Sequence, residues 1–336
     1  MHKFQIIEDR GLTRIQQVAE SIRRDIEKGV LQRNEQLPSI NEFSSEYKVA
    51  RDTIEKAYGL LKKEGYINSF AGKGYYVAGR KEMKLKVLLV FNKLSTYKKM
   101  VYDSFIETLG KHGKVDLQIH HYNPQLLKEI IENALGKYHY YVIMPHFYLN
   151  AKPEEYRKIF EMIPEQELVI LDKQVKGFKK NCIEVYQDFQ NDIYSALSDA
   201  DDLLLKYKRV VVVLKKEGHH PREIIKGVQQ YCFEFKKELE VLSNTDTLEL
   251  EKGTVYIETT EADLALLIKK ARQSKMIPGK DIGIISFNET VLKELLDVTV
   301  ITTDFEAMGR TAAKCILDNN FRKIRNPFYM IRRKTL

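Results

Sequence analysis

Residues 37–77 read LPSINEFSSEYKVARDTIEKAYGLLKKEGYINSFAGKGYYV, and this stretch decides the fold of the front of the chain. Ser39 precedes Glu42 by three positions, which is the capping-box pattern at the start of a helix. After a short break, the apolar residues of 51–64 recur at helical spacing until Gly65, a residue type that commonly ends a helix. The stretch therefore predicts two consecutive helices joined by a short turn.

A third helix and a hairpin flank these two helices. The apolar residues of 13–30 also recur at helical spacing, which predicts a helix ahead of the motif. Residues 66–70 and 75–77 are rich in aromatic and β-branched side chains and flank the glycine-containing segment 71–74, so we predict two strands joined by a tight turn. Three helices followed by a two-stranded wing make an α+β winged helix-turn-helix head, a fold that binds DNA.

The second helix of a helix-turn-helix motif offers the side chains of its first turns to the base edges of DNA. Arg51 stands at the start of that helix and can donate two hydrogen bonds to guanine. Thr53 and Lys56 can reach a base or a phosphate. The alternative is that these residues are only the solvated face of an amphipathic helix. We predict that all three contact DNA.

The turn of the hairpin carries the sequence Gly72-Lys73-Gly74. Glycine suits a tight turn whatever the function of the protein is. A lysine at the tip of a wing, however, is placed to enter or straddle the minor groove of DNA. We therefore predict that Gly72, Lys73 and Gly74 form a wing that contacts DNA.

Four motifs in this part of the chain closely resemble the DNA-binding domain of GntR-family bacterial transcription regulators. They are Leu37-Pro38-Ser39-Ile40, Arg51-Asp52-Thr53-Ile54-Glu55-Lys56-Ala57-Tyr58, 61–65 and Gly72-Lys73-Gly74-Tyr75-Tyr76-Val77, in the order and spacing of that family. The resemblance implies that Ser39 touches a DNA phosphate besides capping its helix. The family often carries arginine two residues after this serine, where the present chain has Asn41.

The length and composition of the chain limit its possible classes. Its 336 residues exceed the usual size of one domain. Hydrophobic residues make up 43% and charged residues 30%, and no apolar run is long enough to span a membrane. The first ten residues lack the pattern of a signal peptide, so we expect a cytoplasmic protein with no membrane partner. The net charge is +8, but residues 1–82 hold 15 basic and 12 acidic side chains, so bulk charge does not single out a nucleic-acid domain.

Metal and cofactor motifs are absent from the sequence. Cys182, Cys232 and Cys315 are too widely spaced for a compact zinc motif and form no disulfide framework. The adjacent residues His219 and His220 lack a carboxylate or cysteine partner at ligand spacing. We therefore predict neither a metal ion nor another cofactor.

Beyond the head the pattern changes to β-branched runs that alternate with amphipathic stretches. The predicted strands are 87–91, 115–121, 141–145, 168–172, 183–186, 210–214, 254–259, 282–287 and 298–302, and the longest predicted helices are 188–206, 222–239 and 305–319. Such alternation indicates parallel sheets built from βαβ units, and the length suffices for two lobes. We place the winged head at residues 1–80, a linker at 81–85 and a two-lobed α/β domain for effector binding and dimerisation at 86–336.

Several segments of this second domain resemble the effector domain of LacI-family repressors, which is itself similar to periplasmic sugar-binding proteins. They are 168–173, 185–188, 277–288, 300–304 and 308–313. The resemblance implies a type I periplasmic-binding-protein-like fold, with Asn288 and Glu261 at ligand-binding positions. Asn288 stands where the family has aspartate, and an amide suits a neutral polyol. The family's sugar-clamping arginine is replaced by Ile224, which leaves Arg222 as either a substitute or a structural residue.

Ligands of parallel α/β sheets bind beyond the carboxyl ends of the strands, and this rule selects further candidates. After one strand, His146 can hydrogen-bond a hydroxyl group and Phe147 can stack on a sugar face, although a lone histidine is often only structural. Lys173 follows the next strand. His220 and Arg222 follow a later strand and precede a helix, which makes them candidates for the polar rim of an effector site.

These observations predict a ligand-responsive transcription regulator, a repressor that binds a palindromic double-stranded DNA operator as a homodimer. From the resemblance we expect a small carbohydrate effector, for instance a neutral monosaccharide such as fucose or arabinose. One alternative is a sugar-metabolising enzyme, a kinase or transferase, that carries a DNA-binding head. The sequence lacks a phosphate-binding loop, a dinucleotide fingerprint and a nucleophile elbow, which argues against an enzyme. Another alternative is a sugar-binding protein whose head has lost specific DNA binding.

Overall fold

The computed structural model describes residues 4–6, 11–78, 84–148, 150–214, 221–246 and 248–336. Most of the predicted linker, residues 81–83, lies outside the described residues, as do His219 and His220. Within the described ranges, no helix has the length and apolarity that a membrane crossing requires.

The head is a three-helix domain with a two-stranded antiparallel wing. Its elements are α1 (Arg14–Glu27), α2 (Ile40–Tyr47), α3 (Arg51–Lys63), β1 (Ile67–Phe70) and β2 (Gly74–Val77). Capping boxes at Thr13 and Ser39 begin the first two helices. The head has its own hydrophobic core, in which Phe43, Tyr58 and Leu61 are fully buried. The predicted elements of the head are present to within a few residues.

The second part of the chain alternates strands and helices. Its elements are β3 (Leu85–Phe91), α4 (Thr96–Leu109), β4 (Gly113–Ile119), α5 (Pro124–Ala134), β5 (Tyr140–Ile143), α6 (Pro153–Glu161), β6 (Leu168–Asp172), β7 (Ile183–Tyr186), α7 (Phe189–Ser198), α8 (Asp201–Leu204), β8 (Arg209–Val213), α9 (Glu223–Glu234), β9 (Glu238–Leu242), β10 (Thr254–Glu258), α10 (Glu261–Gln273), β11 (Gly283–Phe287), α11 (Val291–Leu295), β12 (Thr299–Thr303), α12 (Phe305–Leu317), β13 (Lys323–Arg325) and β14 (Phe328–Ile331).

These elements build two lobes, each around a six-stranded sheet. In the amino-terminal lobe the strand order is β13-β7-β6-β5-β3-β4 and every pairing is parallel. In the carboxyl-terminal lobe the order is β14-β12-β11-β10-β8-β9, with only β14 antiparallel. Helices cover both faces of each sheet, so the central strands are buried and read as continuous apolar runs.

The chain crosses between the lobes three times, after β7, after β12 and after β13. As a result α12, which follows a strand of the carboxyl-terminal lobe, packs on α4 in the amino-terminal lobe. Gly309 permits this close packing, because a Cβ atom there would lie 2.3 Å from the carbonyl oxygen of Val101. Gly227 does the same where α9 packs on α7, with the carbonyl oxygen of Gln190 2.3 Å from such an atom.

The structure confirms the predicted fold class and refines the element boundaries. Each of the nine predicted strands forms. The helix predicted over 222–239 ends at Glu234, and the chain then forms β9, an edge strand whose half-exposed residues give no strong strand pattern. The helix predicted over 188–206 is interrupted between α7 and α8 at residues 199–200.

Candidate functional site

The first turn of α3 presents polar side chains to solvent. Arg51 is exposed and begins the helix, and no side chain caps it, because Ala50 is the N-cap residue. Lys56 is also exposed and lies 2.6 Å from Asp52 on the same face. Thr53 is half-buried. Among the described residues Arg51 has no ion-pair partner, so the helix offers it directly to DNA, whereas Lys56 has to leave Asp52.

The tip of the wing has the backbone geometry that its glycines predict. Gly72 and Gly74 have φ angles of 72° and 94°, values that favour glycine. The amide of Lys73 donates to the carbonyl oxygen of Phe70 over 3.0 Å, and its own carbonyl accepts a bond from Gln36 over 2.9 Å. The backbone of Lys73 is thus held by the turn while its side chain extends into solvent.

Ser39 caps helix α2 with both its hydroxyl oxygen and its backbone amide. Its hydroxyl oxygen accepts from the amide of Glu42 over 3.2 Å, and its amide donates to the Glu42 carboxylate over 2.7 Å. The backbone amide of Ser39 is therefore not open to a DNA phosphate. The hydroxyl proton of Ser39 is the group that remains for a DNA phosphate.

A cavity of about 620 Å³ lies between the two lobes, at the carboxyl ends of their strands. Its lining comes from both lobes and from the crossover segments between them. The lining residues are Asn92, Lys93, Ser95, Thr96, Tyr97, Lys98, Tyr122, His146, Asp172, Gln187, Phe189, Pro221, Ile224, Thr259, Thr260, Glu261, Phe287, Asn288, Thr290, Lys293, Phe305 and Phe328. This is the position where parallel α/β sheets bind their ligands.

A buried ionic network forms the amino-terminal side of the cavity. Asp172 ends β6 with a φ angle of 73° and accepts hydrogen bonds from Lys98 over 2.6 Å and from His146 over 2.9 Å. Gln187 also donates to it. Burial alone would raise the pKa of Asp172, but Lys98 and His146 outweigh it and lower that pKa well below its usual range. Burial lowers the pKa of His146.

Asn92 offers a free acceptor to the same cavity. It follows β3 at the carboxyl edge of the sheet and is 97% buried. Its side chain hydrogen-bonds to Tyr122, but its Oδ1 atom has no partner among the described residues. Buried polar atoms are nearly always hydrogen-bonded, so an unpaired oxygen that lines a cavity indicates a hydrogen-bond donor on the ligand.

The carboxyl-terminal lobe supplies the opposite wall. Asn288 follows β11 in a left-handed conformation with a φ angle of 63°. Its backbone amide donates to the carbonyl oxygen of Ile301 over 2.8 Å. The buried Lys293 caps this bend by donating to the carbonyl oxygens of Phe287 and Asn288 over 2.6 and 2.9 Å. Burial lowers the pKa of Lys293. Glu261 begins α10 at the exposed rim.

Aromatic rings add an apolar surface to the cavity. Tyr97 stacks on Phe305 with ring centroids 5.1 Å apart and planes inclined by 25°. Phe287 and Phe328 also contribute to the lining. A cavity that combines aromatic faces with convergent amides and hydroxyls fits a polyhydroxylated ring, which has apolar faces and polar edges.

The structure brings together three of the predicted effector residues, His146, Glu261 and Asn288. Phe147 does not line the cavity, which corrects its prediction, because it stacks on Tyr156 with centroids 4.5 Å apart. Lys173 is also outside the lining.

Arg222 is exposed and outside the lining as well. His220 lies outside the described residues.

Several polar residues of the cavity were not predicted from the sequence, among them Asn92, Lys98, Asp172 and Gln187. Asn92 and Asp172 stand at the carboxyl ends of strands, so the strand-end rule contained the signal for both. Lys98 had no such signal, because it lies in the first turn of α4 and meets Asp172 only through the fold.

Comparison with known proteins identifies the head. The family profile described as "Bacterial regulatory proteins, gntR family" matches residues 14–77. Residues 14–77 are a GntR-family domain. The HTH-type transcriptional regulator TreR of Bacillus subtilis is 26% identical to this chain over 209 residues, which cover 62% of the chain and 78% of TreR.

Solved structures match the remainder of the chain at the level of fold. The trehalose repressor of Escherichia coli has a TM-score of 0.60 at 13% identity and covers 74% of this chain and 100% of its own. A periplasmic binding protein/LacI transcriptional regulator from Alkaliphilus metalliredigens, complexed with D-xylulofuranose, has a TM-score of 0.56 at 14% identity and covers 75% and 99%. The chain thus joins a GntR-type head to a domain with the fold of these regulators and binding proteins.

Proposed function

We propose that this regulator is a repressor whose affinity for a palindromic operator is switched by a small carbohydrate bound between the lobes. The observation that carries the proposal is the cavity itself, where amides, hydroxyls and aromatic rings from both lobes converge. The relatives named above are regulators or repressors, so nothing favours the alternative of a sugar-metabolising enzyme.

A neutral monosaccharide is the effector that this cavity fits best. Lys98 and Asp172 neutralise each other, and Lys293 is engaged with backbone carbonyls, so the buried charges do not call for a charged ligand. The side-chain amides of Asn92 and Asn288 can each donate and accept hydrogen bonds, which suits the hydroxyl groups of a sugar. The binding of D-xylulofuranose by a protein of the same fold supports a ligand of this size.

Gln187 connects the cavity to the crossovers between the lobes. Its side-chain nitrogen donates to Asp172, and its side-chain oxygen accepts from the hydroxyl of Thr303. Gln187 follows β7 and Thr303 ends β12, so the two residues stand at two of the three lobe crossings. An effector that binds beside Asp172 therefore acts on the segments that must bend when the lobes close.

A thermal-shift screen tests the effector. We expect one of the neutral pentoses, deoxyhexoses or hexoses, fucose and arabinose among them, to raise the melting temperature by about 5 °C at a hundred times its Kd. Asn92→Leu should abolish this shift, because it removes the free acceptor, whereas Asn68→Ala on the exposed surface of the head should retain it. If every neutral sugar fails, the carbohydrate proposal is wrong.

Arg51→Ala should weaken operator binding by about 10- to 100-fold, since a bidentate arginine–guanine contact contributes about 1–3 kcal/mol. The measurement is a mobility-shift titration on the upstream region of the protein's own operon at fixed salt. Lys99→Ala, an exposed substitution on α4, should leave the affinity unchanged. Equal affinities for Arg51→Ala and the parent chain would remove Arg51 from the interface.

A homodimer is supported by an apolar patch on α11. Val291, Leu292 and Leu295 are 80%, 64% and 77% exposed, and large exposed apolar patches commonly mark protein interfaces. We expect Leu292→Glu combined with Leu295→Glu to convert dimers to monomers in sedimentation experiments. Leu205→Glu, at an isolated and similarly exposed leucine, should not change the mass. Dimers that persist in the double variant would place the interface elsewhere.

A further inference from the structure

The last turn of α1 in the head packs against the amino-terminal lobe through charged side chains that are almost completely buried. We define the docking cluster as Arg24, Glu27 and Lys28 of the head together with His139 and Glu167 of the lobe. We propose that this cluster is a docking site through which the amino-terminal lobe holds the DNA-binding head, so that the head and this lobe move as one body.

Glu27 forms the first half of the docking cluster. Its carboxylate accepts a hydrogen bond from the hydroxyl of Tyr66 in the head over 2.7 Å and another from His139 in the lobe. Only 6% of its side chain is exposed. Burial alone would raise the pKa of Glu27, but the bonds from His139 and Tyr66 lower it, so the group is an ionised carboxylate held by donors from both domains.

The ring of His139 is fixed by the lobe in the orientation that Glu27 requires. Its Nδ1 atom accepts a hydrogen bond from the amide of Lys86 over 2.8 Å, so Nε2 carries the proton and points at the head. The backbone amide of His139 also donates to the carbonyl oxygen of Lys86 over 2.8 Å. Lys86 belongs to β3 and His139 immediately precedes β5, so the sheet of the lobe, and not the head, positions the Nε2 donor of His139.

Glu167 forms the second half of the docking cluster. It stands just before β6, and its carboxylate lies 2.8 Å from Lys28 and 3.6 Å from Arg24. The ammonium group of Lys28 also lies 5.9 Å from the centre of the Tyr140 ring, a cation–π distance. The lobe thus offers an acid, Glu167, to Arg24 and Lys28 of the head and a hydrogen-bond donor, His139, to Glu27.

The chemistry of the docking cluster suits a contact that can open and close. Buried charges are stable only while they are paired, which makes the docked position specific. Once separated, the same groups are readily hydrated, so an undocked head exposes no apolar surface at these residues. The two lobe residues of the docking cluster, His139 and Glu167, both belong to the amino-terminal lobe. If an effector closes the lobes, as the proposed function holds, the docked head turns relative to the carboxyl-terminal lobe.

Distance measurements between spin labels test the docking. Labels are placed at Glu55→Cys on α3 and Glu107→Cys on α4, two exposed positions, while the native cysteines are buried and react slowly. We expect one narrow distance distribution when the labelled, otherwise unchanged chain is diluted with excess unlabelled chain, so that only distances within one chain are measured. Glu167→Gln should at least double its width, and Glu27→Gln should do so independently, so that the test survives if one variant does not fold.

Asp103→Asn is the matched control, because it removes one acid of an exposed ion pair on the same lobe and should leave the distribution narrow. A broad distribution in the unchanged chain, or a narrow one in both folded variants, would overturn the proposal. The measurement uses neither DNA nor sugar, so its outcome is independent of whether the proposed operator and effector are correct.

Discussion

Replacing Asp172 by asparagine should lower the free energy of unfolding by about 3–5 kcal/mol, because it leaves a buried cation without its counter-ion. Lys98 donates to Asp172 over 2.6 Å, and both side chains are at least nine-tenths buried. The same substitution replaces one of the two carboxylate oxygens that accept from Lys98, His146 and Gln187 by an NH2 group, which cannot accept. Asparagine keeps the size of the side chain and tolerates the left-handed backbone at this position, so the loss reports the charge. Urea denaturation at pH 7 measures it.

The neighbouring pair of Lys99 and Asp103 supplies the control. Its side chains are 72% and 53% exposed, so Asp103→Asn should cost less than about 1 kcal/mol. The lowered pKa of Asp172 means that its contribution is fully present above its unfolded value of 3.8 and is lost as the pH falls further below that value. Equal costs for the two substitutions at pH 7 would show that the Asp172 network does not stabilise the fold.

Glu258→Gln should remove a large pH dependence of stability. Glu258 ends β10 and is fully buried, and neither carboxylate oxygen has a partner among the described residues. Burial, with a smaller contribution from Asp263, raises the pKa of Glu258 to about 9. The folded chain therefore holds a proton that the unfolded chain releases near pH 4.5. Stability from this group is greatest below pH 4.5 and is lost as the pH rises through about 9.

Between pH 6 and pH 9 the parent chain should lose about 4 kcal/mol more stability than Glu258→Gln, since each pH unit between the unfolded and folded pKa values corresponds to 1.36 kcal/mol. Denaturant titrations at several pH values give both curves. Glu294→Gln, the same change at an exposed position on α11, should follow the parent chain. Parallel curves for the parent chain and Glu258→Gln would mean that Glu258 is ionised in the folded protein at neutral pH.

The regulatory head could be predicted almost completely from its sequence. Its helices begin at caps only three residues from their partners, as with Ser39 and Glu42, and its wing turns on Gly72 and Gly74. Such signals act within a few residues, so a linear pattern contains them. Nine parallel strands of the two lobes were equally predictable, because a strand buried on both faces is a continuous apolar run. The parallel edge strands β9 and β13 were not, because their residues are half-exposed.

The effector cavity could be predicted only in part. The strand-end rule and the family resemblance placed His146 and Asn288 in it, and the structure brings the two together. The same rule also placed Phe147 in the cavity, but its ring stacks on Tyr156 of α6 instead. Whether a residue one position beyond a strand faces the cavity or the adjacent helix depends on packing between elements, which the local pattern does not contain.

Short-range periodicity, caps and turns specify the GntR-type head and the two-lobed α/β domain, so both could be predicted from the amino-acid sequence alone. Which buried charges form pairs depends on the tertiary structure. Lys98 finds Asp172 across 74 residues, and Lys28 of the head finds Glu167 across 139. The partner of a buried charge is set by the three-dimensional arrangement of the strands and helices, since the cost of desolvation is met by whichever opposite charge the fold brings within a few ångströms.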